Sequence, residues 1–535
     1  MTAVDAVVVG AGPNGLVAAN ALVDAGWEVL LVEANEVCGG AVRTAEVTAP
    51  GFRNDLFSAF YPLAAASPVI AGLDLHHHGL AWTQAPTVLA HVLPDDRAAV
   101  LHRRVEDTAA GLEEFAAGDG EAWLALWEQW SRIRDPLLDA LFTPFPPVRS
   151  ALRLLRALGT ADALEMLRQA VLPVHRLADE RFAGEGAAVL LTGNAMHSDV
   201  GPDAAGSGLF GWLLCMLGQD VGFPVPVGGA QVLADALVSR LRAGGGQVRT
   251  GVRVERVEVE HGRATGVRLA GGSRVTARRA VLADVDAPTL YERLVGREHL
   301  PARTADALDR FHWDNPTLKL NWALREPVPW TASGAHGAGT VHLGVDEDGL
   351  VDFAADLSTQ RVPRRPFVLV GQMTTADATR SPAGTESVWA YTHVPHAIAG
   401  DDDALAVVAD RVRAAIETAA PGFADAVLAE HVQWPRDIEG ADSNLVDGAI
   451  NAGTSGIHQQ LVFRPLPGLG RPETPVEGLY LAGASAHPGG GVHGACGWNA
   501  ARSALGSAIG ARAAVRRKLL ATAWSRLLDQ AARAD

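Results

Sequence analysis

Residues 5–34 read DAVVVGAGPNGLVAANALVDAGWEVLLVEA, and the period of the apolar positions changes twice within them. The unbroken run Ala6–Val9 predicts a buried strand, the alanine-rich stretch after Gly15 a helix ending near Gly26, and the run up to Glu33 a second strand. Between 224 and 259 a Gly-Gly turn precedes a helix of period near 3.6 (Val232, Ala236, Leu237, Arg240, Leu241), then a glycine stop and short strands. The alternating stretch VEVEHGRATGVRLAGGSRVTARRAVLAD predicts hairpin turns at His261-Gly262 and Gly271-Gly272 before a strand that rejoins the first domain. Residues 105–220 read as mostly helical. Four runs between 317 and 394 (TLKLNWAL, GTVHLGV, FVLVGQMTT, SVWAYTHV) predict a sheet forming one wall of a pocket. Near the end, VEGLYLAGA (476–484) predicts a short buried strand, SAHPGGGVHGACG a glycine turn, and the alanine- and leucine-rich remainder a helix.

A chain of 535 residues exceeds one ordinary core, so two packed domains are expected in an α/β fold. Net charge is −16, which argues against nucleic acid as a partner, because phosphate binding rests on a basic surface. Cys38, Cys215 and Cys496 are too few and too scattered for a disulfide framework and fit a reducing compartment. With a strand beginning just after Met1 there is no room for a signal peptide, and no run reaches the roughly 18 apolar residues of a membrane span. A cytoplasmic protein is expected.

Gly10-x-Gly12-x-x-Gly15 sits between predicted strand and helix, the arrangement of a dinucleotide turn. Gly10 makes the tight turn, Gly12 lets a pyrophosphate approach the backbone, Gly15 lets helix and strand pack, and Glu33 can take the ribose hydroxyls. Gly39-Gly40 and Arg43-Thr44 follow. A second backbone approach with a cation beyond it suits a ligand longer than NAD.

The GAGPNG turn, the acidic residue followed by Gly-Gly-x-x-Arg-Thr, and GLYLAGASAHPGGGVHGACGWNAA together resemble FAD-dependent oxidoreductases of the phytoene-desaturase type. That group holds carotenoid desaturases and isomerases, retinol saturase and pyridine nucleotide-disulfide oxidoreductase domain 2 proteins, and stands with the amine oxidases in a glutathione-reductase-like superfamily. The resemblance covers nearly the whole chain. It implies a glutathione-reductase-like FAD-binding Rossmann domain, discontinuous over 1–75, 225–290 and 470–512. A mixed sheet-plus-helix substrate domain would occupy 76–224 and 291–469, and a C-terminal helix 513–535. FAD would be noncovalent, contacted by Gly10, Gly12, Pro13, Asn14, Gly15, Glu33, Ala34, Gly39, Gly40, Arg43, Thr44, Val254 (beside adenine), Gly483, Ala484, Gly490, Gly491 and Val492. Glycines 489–491 would pass under the isoalloxazine, and a helix from near Val492 would aim its positive end at the N1–C2=O edge.

Flavin carries out hydride transfer itself, so the side chains of interest are those that handle the proton: His487, His493, Trp498 and His197, with His493 favoured as catalytic because its segment approaches the ring. Each histidine can equally be one bonded to local backbone. The VHGACGW string departs from a typical carotenoid desaturase and argues against a long polyene substrate. An amine oxidase would flank the flavin with aromatic side chains, and tyrosine is scarce (Tyr61, Tyr291, Tyr391, Tyr480) while tryptophan is plentiful. A saturase or isomerase acting through reduced FAD, or a redox-inert flavin scaffold, uses the same fingerprint. No metal is expected: His487, His493 and Cys496 match no zinc spacing, and the adjacent histidines 76–78 cannot all face one ion. Cys496 reads as a buried small side chain rather than a flavin tether. A lipophilic or bulky, mostly neutral small molecule is the expected substrate. The arginine-bearing stretch 137–159 fits a lip on anionic lipid or a surface helix with a core stripe, the second favoured by its few charges. The C-terminal helix would pack on its own chain or on a second copy in a homo-oligomer.

Overall fold

The computed structural model describes residues 2–508; the C-terminal helix expected over 513–535 lies outside the described residues. In chain order the elements that frame the site are β1 (Thr2–Val9), α1 (Pro13–Asp24), β2 (Val29–Val32), β3 (Thr87–Val92), β4 (Ala98–Leu101), α2 (Asp119–Phe142), α3 (Val148–Val171), α4 (Glu185–Ala195), α5 (Ser207–Asp220) and α6 (Gln231–Ala243). Then come β5 (Gln247–Arg249), β6 (Val254–Glu260), β7 (Arg263–Leu269), β8 (Arg274–Ala283), β9 (Thr317–Leu324), β10 (Ala338–Leu343), β11 (Val368–Gln372), β12 (Glu386–His393), α7 (Asp402–Ala419), β13 (Val427–Gln433), β14 (Leu479–Leu481) and α8 (Ala495–Ala508).

One sheet runs β6–β7–β8–β1–β2–β5, with β14 also on β8. Val8 pairs in parallel with Leu31 on one side and Leu282 on the other, so β1 is central and its side chains are buried on both faces. That is why this strand is an unbroken apolar run rather than an alternating one. The turns at His261-Gly262 and Gly271-Gly272 take left-handed backbone and join β6, β7 and β8 as the alternation predicts. Strands from three stretches far apart in the chain therefore share this sheet: β14 meets β8 with Leu282 opposite Tyr480, and β8 meets β1. Leu16, Val17 and Leu22 of α1 pack with Leu233, Leu237 and Leu241 of α6 into one core with Tyr480. α1 starts at Pro13, whose missing N–H costs nothing at a helix N-terminus. A Cβ on Gly15 would run into the Gly10 carbonyl, the close packing expected of the third glycine.

The second sheet runs β13–β9–β12–β11–β10–β3–β4, antiparallel except where β10 meets β3. Along most of its strands the two faces alternate. Leu318, Leu320, Trp322, Val341, Val388, Ala390 and Ala90 turn to a core closed by Leu405, Val408, Val412 and Ile416 of α7. The other face therefore carries Thr317, Lys319, Thr340, His342, Trp389, Tyr391 and His91. This is the wall expected from residues 317–394, extended by β3 and β4.

The stretch 137–159 is not one helix: α2 ends at Phe142 and α3 begins at Val148, across a proline-rich turn. Along α3 Leu158 and Met166 are buried, whereas Val148, Leu152, Leu155, Leu164, Leu167 and Val171 are exposed. The helix after the glycine turn starts at Ala495 instead of near Val492, because Gly491 and Gly494 hold left-handed backbone (φ 105 and 70).

Asp284, at the end of β8, accepts the Gly15 N–H (2.7 Å to Oδ2) and lies where a Cβ on Gly12 would be. Burial raises its carboxyl to about 7, opposed by the Gly15 bond and reinforced by Asp442 and Glu33. An unfolded aspartate titrates near 4. Between these values the folded chain binds the extra proton, so Asp284 erodes stability as pH rises from ~4 to ~7. Asp284→Asn keeps an oxygen for Gly15 and removes the ionisation. Urea unfolding of the FAD-free protein should show the variant gaining on wild type from pH 5 to pH 7, by up to ~1.4 kcal/mol per unit. Parallel pH profiles would show that Asp284 is ionised in the folded chain.

Candidate active site

A cavity of about 680 Å³ runs from the Gly10–Gly15 turn to the polar face of the second sheet. At its first end are Gly10, Gly12, Pro13, Asn14, Glu33, Ala34, Gly40 and Val254, and the late glycine segment adds Ala484, Gly490, Gly491, Val492 and His493. Five of the expected cofactor residues do not line it. Gly15 and Gly483 pack against backbone of Gly10 and Val285, and Gly39 donates its N–H to Ala11 O (2.8 Å). Thr44 bonds Asp55 Oδ1 (2.6 Å) and receives the Gln231 N–H, while Arg43 lies on the Phe57 ring and donates to Ala441 O (2.8 Å). These residues shape the cradle from behind.

The cradle fits a dinucleotide. A Cβ on Gly40 would sit 3.0 Å from the Gly12 Cα, so two bare backbone turns face one another at the start of α1. Buried Asn14 Oδ1 at that helix end has no protein partner among the described residues. Glu33 accepts the N–H groups of Ala11 (2.7 Å) and Asn35 (2.8 Å), which fixes its carboxylate on the cavity wall with lone pairs to spare for hydroxyls.

Arg464 sets the glycine segment. It is fully buried, and its guanidinium donates to Ala484 O through Nε (3.1 Å) and Nη2 (2.8 Å), to Asn451 O (2.8 Å) and to Thr454 O (3.0 Å). Asp314 holds the other side of the same loop through the N–H groups of Ile450, Asn451 and Gly453. Gly490 then lies against Asn451, and Gly491 against Leu63, too close for any side chain to replace either hydrogen without displacement.

The histidines of this segment do not match a proton acceptor. His493 Nδ1 accepts the Ala495 N–H (3.0 Å) at the start of α8, so its proton is on Nε2, and burial lowers the imidazole to about 4. The ring is a neutral helix cap with a buried N–H. His487 donates from Nε2 to Thr143 O (3.1 Å) and, like Trp498, stands outside the cavity. Cys496 donates weakly to Ala486 O, and burial pushes its thiol up to about 12. Among the described residues no group of acids, histidines or cysteines could hold a metal.

Sequence reasoning missed the groups on the second sheet. Lys319 lines the cavity, donates from Nζ to Asp55 O (2.6 Å) and Phe57 O (3.0 Å), and sits over the Trp389 ring at 5.1 Å. Burial lowers its ammonium to about 7, opposed by the Asp55 charge. Trp389 and Tyr391 stack at 5.9 Å on the same face, and Trp389 fits only because its neighbour Gly371 has no side chain. Opposite stands α5, whose Phe210, Leu213, Leu214 and Leu217 follow helical spacing and present one apolar stripe. Helical period in SGLFGWLLCMLGQD was the available signal; a lone lysine inside TLKLNWAL, at a polar beat of the alternation, was the other.

Comparison with known proteins gives the family. The model of the flavin containing amine oxidoreductases matches residues 14–505. The rat (Rattus norvegicus) pyridine nucleotide-disulfide oxidoreductase domain-containing protein 2 is 31% identical, over 93% of this chain and 92% of its own. The zeta-carotene-forming phytoene desaturase of Myxococcus xanthus is 27% identical, over 91% and 90%. The crystal structure of an oxidoreductase from Methanosarcina mazei shares the fold, with a TM-score of 0.64 at 17% identity over 94% of this chain and 99% of that one. The chain belongs to the flavin-containing amine oxidoreductases, and it is an FAD-dependent oxidoreductase.

Proposed function

We propose that the chain holds FAD noncovalently between the Gly10–Gly15 turn and the glycine segment, and oxidises a lipophilic or bulky, mostly neutral substrate. A C–C or C–N bond becomes unsaturated, and oxygen or a quinone removes the electrons. One observation carries this reading: the α5 stripe and the Lys319–Trp389–Tyr391 face lie across one cavity that is continuous with the dinucleotide cradle. When bound, FAD supplies the hydride acceptor. The chain's own residues position the substrate, exclude water and hold the proton. Gly12, Gly40, Asn14 and Glu33 would bind the adenosine diphosphate part, and the backbone of 489–491 would support the ring. Leu213, Leu214 and Leu217 would exclude water from the reacting bond. Lys319 Nζ, neutral above about pH 7, would take the substrate proton. His493 is a positioning residue, since it caps α8 and buttresses the glycine segment. The exposed apolar side chains on both sides of the break at Gly159 in α3, with Arg149, Arg153 and Arg156 on the first side, suit contact with anionic lipid, from which such a substrate would come.

Acid precipitation should release one FAD per chain, and Cys496→Ala should retain as much of it as wild type. Flavin that stays with the precipitate would rule out noncovalent binding. Gly490→Val should perturb the flavin absorbance spectrum, whereas Glu33→Ala should lose the cofactor.

Anaerobic stopped-flow with a panel of apolar alkenes and amines should show flavin reduction accelerating as pH rises through about 7. Lys319→Met should be about 10²-fold slower with that rise removed. His493→Ala should slow reduction at every pH without flattening the profile. A wild-type pH dependence in Lys319→Met would take the lysine out of the chemistry, and rapid reduction by a small charged amino acid would overturn the apolar reading. Vesicles of anionic phosphatidylglycerol should co-sediment wild type, and Leu164→Glu with Leu167→Glu should reduce binding.

A further inference from the structure

Three imidazoles lie beneath α4 where it crosses the second sheet. His91 and His342 are opposite one another on β3 and β10, and His197 follows the end of α4. His197 and His342 share a hydrogen bond between their Nε2 atoms (2.7 Å), and His91 Nε2 bonds Val345 O (2.9 Å). Of the three, His197 lines the cavity. Its neighbours on that wall include Phe223, Leu213 and Leu217, with Asn194 and Thr340, whose buried Oδ1 and Oγ1 have no partner among the described residues. Room is made for the cluster: a Cβ on Gly193 would fall 2.5 Å from His342 Nδ1 and 3.1 Å from His91 Nδ1.

We propose that this corner of the cavity is a recognition subsite for a hydroxyl group on an otherwise apolar substrate, with His197 Nδ1 accepting its proton. The inference rests on the reading of the cavity as the seat of a lipophilic substrate beside FAD. It follows from the direction of the hydrogen bonds. A carbonyl only accepts, so His91 donates to Val345 O from Nε2, and its Nδ1 carries a lone pair. His342 Nδ1 opens on the same gap beside Gly193, and neither nitrogen has a hydrogen-bond partner among the described residues. Two lone pairs facing one dry gap repel, so His342 carries its proton on Nδ1 and accepts at Nε2 from His197. His197 is then protonated at Nε2, and its Nδ1, which makes no hydrogen bond among the described residues, presents a lone pair. Burial lowers all three imidazoles, His197 to about 3 and His91 to about 4, so the chain of bonds stays neutral at working pH. A neutral acceptor in an apolar corner selects a neutral donor. A cation would meet no carboxylate here, because Glu33, Glu255, Asp284, Asp286 and Asp442, the acids of this cavity, belong to the dinucleotide end. An imidazole left without its donor on binding loses its hydrogen bonds to water, so an analogue lacking the O–H is rejected.

The test uses two isomers of equal size, 1-octanol and heptyl methyl ether, titrated calorimetrically into the FAD-loaded full chain. The alcohol should bind at least about tenfold more tightly, the discrimination of one buried hydrogen bond. His197→Phe should abolish the preference. Gly193→Ala, which drives a methyl group at His342 without altering the lining, should reduce it, and the FAD content of both variants reports folding. Equal affinities of the isomers for wild type, tighter binding of the ether, or an undiminished preference in His197→Phe would each overturn the subsite. Binding of neither compound by a chain that retains FAD would overturn the lipophilic reading as well, whereas equal binding leaves that reading standing and removes the hydroxyl subsite alone.

Discussion

The buried ion pair of Asp55 with Arg380 joins the two layers on which the site depends. Both side chains are fully inaccessible, and the carboxylate meets the guanidinium at 2.5 Å. Asp55 also receives Thr44 Oγ1 and the Ala230 N–H, so the segment after the second glycine pair and the start of α6 are held by one group. Its backbone carbonyl receives Lys319 from the second sheet. A charge at this depth is costly to leave unpaired, about 3–5 kcal/mol when a partner is lost, so the contact contributes less net stability than exactness of placement. It sets the wall bearing Lys319 and Trp389 at a fixed offset from the cofactor cradle.

Charge is distributed to match. Among the described residues five carboxyl groups line the end beside the Gly10–Gly15 turn, and burial raises those of Asp284, Asp286 and Asp442, so these acids stand together without full mutual repulsion. Toward the second sheet the lining is largely apolar, and burial holds the His197 imidazole and the Lys319 ammonium there below their usual values. One cavity thus provides two environments, one lined by carboxyl groups and one largely apolar.

What the sequence disclosed followed from local rules. The dinucleotide turn, the two hairpins and four of the seven strands of the second sheet are encoded by neighbours in the chain, and each was legible as a period or a glycine pair. The length of the loop before α8 was not, because Gly494 stops helix formation only once His493 folds back to cap Ala495. Asp284 and Lys319 were missed for a related reason. Asp284 follows the last residue of β8 and Lys319 is one of several polar residues in β9, and the importance of each comes from partners 269 and 264 positions away, Gly15 and Asp55. The direction of the His493 proton was equally non-local information, since a neighbouring backbone N–H decides it.

The placement of β14 and α8 has a consequence for how the protein is made. β1 is made some 270 residues before its partner β8, and the glycine segment about 200 residues later again. A nascent chain shorter than about 500 residues has the first glycine turn but not the backbone that would lie under the ring. The cradle is therefore complete only once that segment has been made, and the open edge of β8 must remain unpaired without aggregating until β14 arrives. Loop closure over such distances is slow. A product cut short before the glycine segment keeps the dinucleotide signature and lacks the wall formed by Gly490, Gly491 and Val492.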